Sequence, residues 1–155
     1  MGLDINIGIV IPLPLDSYEK GISDKFLTEI NDKLIDKKLI KNDRLEGIHK
    51  VVIGKIWWKH WYIHQWFMNN LSGSMECDYC SLFPLETFEL EEFKKVCEEI
   101  IKDPAKVGKL KLDEEERNDF EIDDLKDIVK DIDYLFKTID KLKDKSVWLE
   151  YQASW

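Results

Sequence analysis

No stretch of this 155-residue sequence is both long and apolar enough to cross a bilayer. The two most hydrophobic segments, residues 5–15 and 53–68, fall short of the ~20 residues a spanning helix needs, and the second carries Lys55, Lys59, His60 and His64. The start of the chain lacks the basic flank and small-residue cleavage site of a secretory leader, and Asn6 stands where a myristoylation motif wants Ser or Thr. The expectation is a cytoplasmic chain with no membrane partner. Cysteine is sparse: Cys77, Cys80 and Cys97 are an odd number, which predicts reduced thiols and leaves stability to packing. Catalytic motifs are missing as well. There is no phosphate-cradling glycine loop, no nucleophile elbow and no His-Glu-x-x-His, and nothing marks a carboxylate as opposed to a nucleophile. Binding is therefore expected in preference to catalysis.

What the chain does have is regional charge. Net charge is −9, and residues 1–80 carry 10 basic and 11 acidic groups whereas residues 81–155 carry 13 and 21. The acidity thus belongs to the second half, where Glu114, Glu115, Glu116, Asp123 and Asp124 stand in runs. Such a surface repels phosphate backbones, argues against direct nucleic-acid binding and favours a basic protein partner. A solvated helix face with a solubility margin accounts for the same runs.

The length suits one domain spanning residues 1–155 around one core. Leu3, Ile5, Ile7, Ile9 and Ile11 alternate with Asp4, Asn6, Gly8 and Val10, the period of a β-strand, which Pro12 and Pro14 stop. After a turn at Gly21, Ser23 is placed to cap a helix carrying Leu27, Ile30 and Leu34, which fades towards Asn42 and Asp43. Residues 48–53 read as a short strand and residues 56–70 as a buried helix apolar on nearly every face, followed by a loop from Gly73 that holds the cysteine pair. Phe93, Val96, Cys97, Ile100 and Ile101 mark one face of a third helix ended by Asp103 and Pro104. Residues 106–121 read as a charged connection. Ile122, Leu125, Val129, Ile132, Phe136, Ile139 and Leu142 form the longest helical stripe, and Val147, Leu149, Tyr151 and Ala153 alternate as a last strand. The fold class expected is α+β, a small sheet of the N- and C-terminal strands with about four helices.

Two constellations could carry chemistry. His60-x3-His64 followed by Cys77-x2-Cys80 offers four ligands of zinc-binding type, in the reverse order of a Cys2His2 finger. The commoner use of such residues is packing, with free cysteines as small buried hydrophobes, and no cofactor is expected. Four of the six tryptophans, Trp57, Trp58, Trp61 and Trp66, crowd beside the histidines. With Lys59 and His64, Trp57 and Trp66 could stack a nucleotide or cyclic nucleotide, although core packing is the more frequent role of tryptophan.

Met1-Gly2-Leu3-Asp4 opens the sequence, Trp57, Lys59, Ile63, His64, Trp66 and Phe67 form a central run, and Tyr151-Gln152-Ala153-Ser154-Trp155 closes it. Together these three pieces resemble the pattern of a family of small uncharacterised bacteriophage and prophage proteins. The run departs from it at Trp58, where the family has Arg, and at Trp61, where it has Asn. The resemblance implies a viral accessory protein in the host cytoplasm, with Trp57, Lys59, His64, Trp66, Gln152, Ser154 and Trp155 as the ligand- or partner-binding set. The function expected is binding to a host protein, such as a component of a defence system, through the acidic surface. A nucleotide-binding module is the alternative, followed by a zinc-binding domain or an enzyme.

Overall fold

The computed structural model describes residues 2–14, 23–34, 50–58, 60–71 and 80–155. The side chains of residues 50–53, 58, 80 and 81 are not part of that description, and Gly21, Asn42, Asp43, Ile48, Lys59, Gly73 and Cys77 lie outside it. The fold is α+β. Strands β1 (Asp4–Pro12), β2 (Lys50–Trp58), β3 (Cys80–Leu85) and β4 (Trp148–Ser154) form one antiparallel sheet in the order β2-β1-β4-β3. Among the described residues the helices are α1 (Asp24–Lys33), α2 (Trp61–Asn70), α3 (Thr87–Lys102), α4 (Glu114–Asp119) and α5 (Ile122–Leu142), with short 3₁₀ segments at Pro104–Leu110 and Lys143–Lys145. No helix among them is long and apolar enough to cross a membrane.

The period of two in the first strand decides the architecture. Leu3, Ile5, Ile7, Ile9 and Ile11 are fully buried beneath the helices, and β1 occupies the middle of the sheet with β2 on one side and β4 on the other. Its register with β4 sets Asp4 opposite Ser154 and Ile7 opposite Tyr151, so the two terminal strands are neighbours as their patterns require. Pro12 is the last residue of β1 and pairs with Lys50, at a strand end where its missing donor costs least. Leu149, Tyr151 and Ala153 continue the buried face on β4, and Ser146, in the left-handed conformation with φ 54°, turns the chain into that strand. The other sheet face leaves Ile56, Leu82 and Trp148 about half exposed.

Ser23 caps α1 by accepting from the Phe26 amide at 3.2 Å, and Phe26, Leu27, Ile30 and Leu34 face the core. Helix α3 ends at Asp103 and Pro104 as expected, with Phe93, Cys97 and Ile100 buried. On α5 the buried row is Leu125, Ile128, Ile132, Leu135 and Leu142, while Val129, Phe136 and Ile139 pack at its flank. The stripe expected from sequence is therefore rotated: two adjacent apolar rows exist, and the row through Ile128 and Leu135 is the deeper.

Three segments differ from the expectation. Residues 56–58 belong to β2 and not to the central helix, which begins at Trp61. The reason is that β1 has a second edge to satisfy, and β2 pairs with it as far as Trp58, opposite Asp4. From Gly54 to Trp57 exposure alternates with the period of a strand, and the Trp57 indole N–H donates to Asp131 Oδ2 on α5 at 3.0 Å. Next, Cys80 begins a strand: Phe83 and Leu85 are buried while Leu82 and Pro84 face outward, on an edge strand where a proline is tolerated. Finally, the charged connection contains a 3₁₀ segment and α4. A reciprocal capping box starts α4: Asp113 Oδ1 accepts from the Glu116 amide at 2.8 Å, and Glu116 Oε2 accepts from the Asp113 amide at 3.0 Å.

The centre of the core is aromatic. Phe93 stands 6.2 Å from Trp57, 5.0 Å from Trp66 and 4.9 Å from Phe67, while Tyr151 stacks on Phe83 at 5.2 Å. Centroid separations of this size are those of productive ring pairs.

Candidate functional site

Helix α2 carries two histidines with different surroundings. His64 is buried, and its Nδ1 shares a 2.6 Å hydrogen bond with the Tyr151 hydroxyl of β4 while Trp155 packs on the ring at 5.2 Å. His60 precedes the first turn of α2 and lines a cleft of about 640 Å³. One wall of that cleft is Gly2 and Leu3 at the start of β1, the second is His60, Trp61 and Tyr62, and the third is Asp113, Glu115, Glu116, Asp119, Phe120 and Asp124.

The third wall arises from local chemistry. Acidic residues collect at helix N-termini because they face unpaired amides and the positive end of the peptide dipoles. Here the first turns of α4 and α5 bring Glu115, Glu116 and Asp124 to one cleft, where Asp119, the last residue of α4, joins them. Asp113 and Glu116 each commit one oxygen to the capping box. The other Glu116 oxygen, Oε1, is buried without a hydrogen-bond partner. Tyr62 is 3% exposed and its hydroxyl is likewise buried without a partner. Phe120 meets the Tyr62 ring edge-on at 5.8 Å, and His60 lies 5.2 Å from it on another side.

Burial pushes the Tyr62 phenol well above its ordinary range, with Asp124, Cys97 and Glu116 adding to the effect, so it stays protonated at all physiological pH values. Burial likewise pushes His60 below its ordinary value, and the carboxylates of Asp124 and Glu116 oppose but do not cancel that shift. The shift favours the neutral imidazole. No lysine or arginine is among the described residues that line the cleft. The result is a concave site with five carboxylates and aromatic walls. Its chemistry suits a cation that brings several donors.

The residues singled out from sequence are distributed as follows. Glu115, Glu116 and Asp124 line the cleft; Glu114 and Asp123 do not, and Asp123 is exposed and pairs with Lys126 at 2.7 Å. Trp57 and Trp66 are core residues around Phe93. Trp155 packs edge-on against Trp61 at 5.9 Å as well as on His64, so the tail and the central helix do meet. Gln152 and Ser154 alternate with Tyr151 and Ala153 and therefore lie on the sheet face turned away from α2. Lys59 and Cys77 lie outside the described residues, and the side chain of Cys80 is not described. Among the described residues no three His, Cys, Asp or Glu groups are arranged to hold a metal ion. Asp113, Asp119, Phe120 and Tyr62 were not singled out from sequence. The Asp-x-x-Glu spacing of the capping box was the one local signal for two of the acids.

No family model matches this chain, and no curated protein and no solved structure is significantly similar to it.

Proposed function

We propose that this chain is a non-enzymatic accessory protein of phage type that acts by binding a basic host protein, such as a component of a defence system, through the acidic cleft between α2, α4 and α5. The observation that carries this reading is the lining itself: Asp113, Glu115, Glu116, Asp119 and Asp124 share one concavity with no basic residue among its described walls. In a cleft, low-dielectric walls focus the field of like charges and raise the local concentration of a cationic partner. The phage setting rests on the terminal and central motifs, and the host-protein assignment rests on the charge. Nucleotide stacking is the weaker reading, because Trp57 and Trp66 would have to leave the core.

The test is affinity capture from bacterial lysate with the wild-type chain and a Glu115→Lys, Asp119→Lys, Asp124→Lys variant, followed by salt titration of any complex recovered. The expected result is a basic protein held by the wild type alone, with affinity falling steeply as salt rises. A partner retained equally by the charge-reversed variant, or binding indifferent to salt, would refute the proposal. So would capture of nothing above the variant control.

A further inference from the structure

We propose that Trp155 is a positioning residue for the cleft, one that holds Trp61 in the cleft wall by closing a cluster of rings with His64. The hold itself is a matter of packing, and its consequence for binding rests on the reading of the cleft as a partner site. The need for it arises at the start of α2. A helix leaves its first amides without intrahelical acceptors, and a capping side chain or an acidic first turn ordinarily compensates. Helix α2 has neither: His60, at the N-cap position, makes no side-chain capping hydrogen bond, and no acid stands in the first turn. Helix α4, on the third wall, starts with a reciprocal capping box. One wall of the cleft is therefore held by local chemistry and the other is not, and Trp61, in the uncapped turn, is 40% exposed.

What fixes Trp61 comes from the end of β4. Tyr151 and Ala153 are fully buried at alternate positions of that strand, and Trp155 follows in the same alternation. On α2, Trp61 and His64 stand three residues apart and so share a helix face. The two rows meet. Tyr151 fixes His64 through the 2.6 Å hydrogen bond and a stacked ring contact at 6.0 Å. Trp155 touches both α2 residues, 5.2 Å from the His64 ring and 5.9 Å from Trp61, which itself stands 6.1 Å from His64. The three rings thus close a triangle, anchored in the core at His64 and reaching the cleft at Trp61. Phe120 already packs on Tyr62, so what Trp155 adds is the placement of Trp61. Without it, Trp61 keeps His64 as its one ring neighbour among the described residues.

The test compares the ¹⁵N-labelled full chain with Trp155→Ala, Trp155→Phe and Ile30→Val, the last a core truncation on α1, a helix with no residue in the cleft. NMR relaxation of the Trp61 indole N–H reports whether its ring is held, and the affinity of the basic partner recovered from lysate reports whether holding it matters. Trp155→Ala should set the Trp61 indole loose and weaken the partner roughly three- to tenfold, the share of the held state that loss of one aromatic pair removes. Trp155→Leu, which keeps apolar bulk and removes the aromatic ring, serves the same purpose should the alanine variant not fold. Trp155→Phe keeps a ring and should restore both readouts, and Ile30→Val, which lowers stability alone, should move neither. A Trp61 indole as ordered in Trp155→Ala as in the wild type, or loosened as much by Ile30→Val, would overturn the proposal. So would full partner affinity with Trp61 loose, a result that leaves the proposed function standing. If no basic partner is recovered the proposed function falls, while release of Trp61 by the Trp155 variants without a ring, and by no other, still supports the positioning role.

Discussion

Replacing Tyr62 by Phe should make the protein more stable. The reasoning begins with the hydroxyl, which is buried at the cleft wall and has no hydrogen-bond partner. Leaving such a group unsatisfied costs about 1–3 kcal/mol. The ring contacts with Phe120 and His60 survive in the variant, so little packing is lost against that gain. The neighbouring carboxylates recover part of the cost through the hydroxyl dipole, which points to the lower half of the range, about 1–2 kcal/mol. For a chain of this size each kcal/mol moves Tm by roughly 2–4 °C, so Tyr62→Phe should melt about 2–8 °C higher by calorimetry. A lower melting temperature would mean that the hydroxyl makes a hydrogen bond in the protein, and would refute the reasoning.

Removing the Trp155 side chain as Trp155→Ala deletes its ring pairs with Trp61 and His64 and should cost roughly 1–3 kcal/mol in urea unfolding, at ~0.5–1.5 kcal/mol for each pair; no loss would show that the tail does not pack in solution. The Cys97 thiol is fully buried, and burial pushes it up to about 12, so peptide mapping after iodoacetamide should find Cys97 unmodified until denaturant is added. For His60 the folded value is the lower one, so as pH falls below the ordinary value of 6.5 the unfolded chain takes up a proton that the folded chain resists. Stability and cation affinity should both decline through that window, more steeply in the wild type than in His60→Gln, and equal slopes would refute the role given to His60. Protein purified without chelator should contain no stoichiometric zinc, and one zinc per chain by elemental analysis would reinstate the set of His60, His64, Cys77 and Cys80.

The strands at the two ends of the chain were legible because their alternation is strict: a residue at each second position is apolar, and only a half-buried sheet uses that pattern. Ser23 and the Asp103-Pro104 stop were legible for the same reason, since a cap is a local event. The boundary between β2 and α2 was not. Residues 56–67 are bulky at nearly every position, so neither period stands out, and what assigns residues 56–58 to a strand is an open edge of β1 some fifty residues earlier. β3 was hidden by Pro84, whose place on an edge is a tertiary fact. The cleft could not be read at all as a unit. Its walls come from residues 2–3, 60–62 and 113–124, and only folding tells Glu116, which lines the cleft, from Glu114, which does not.

The strand order β2-β1-β4-β3 also governs how the protein is made. β4 is the last of the four strands to be synthesised, yet it lies inside the sheet, with β1 on one side and β3 on the other. Until it arrives, β1 offers an unpaired edge along residues whose side chains are almost all apolar, and β3 has no partner strand among the described residues. An exposed apolar edge of this kind is a template for pairing with another chain. The nascent protein therefore passes through a period of aggregation risk that ends only when β4 slots between its neighbours, and contacts of such sequence separation close slowly.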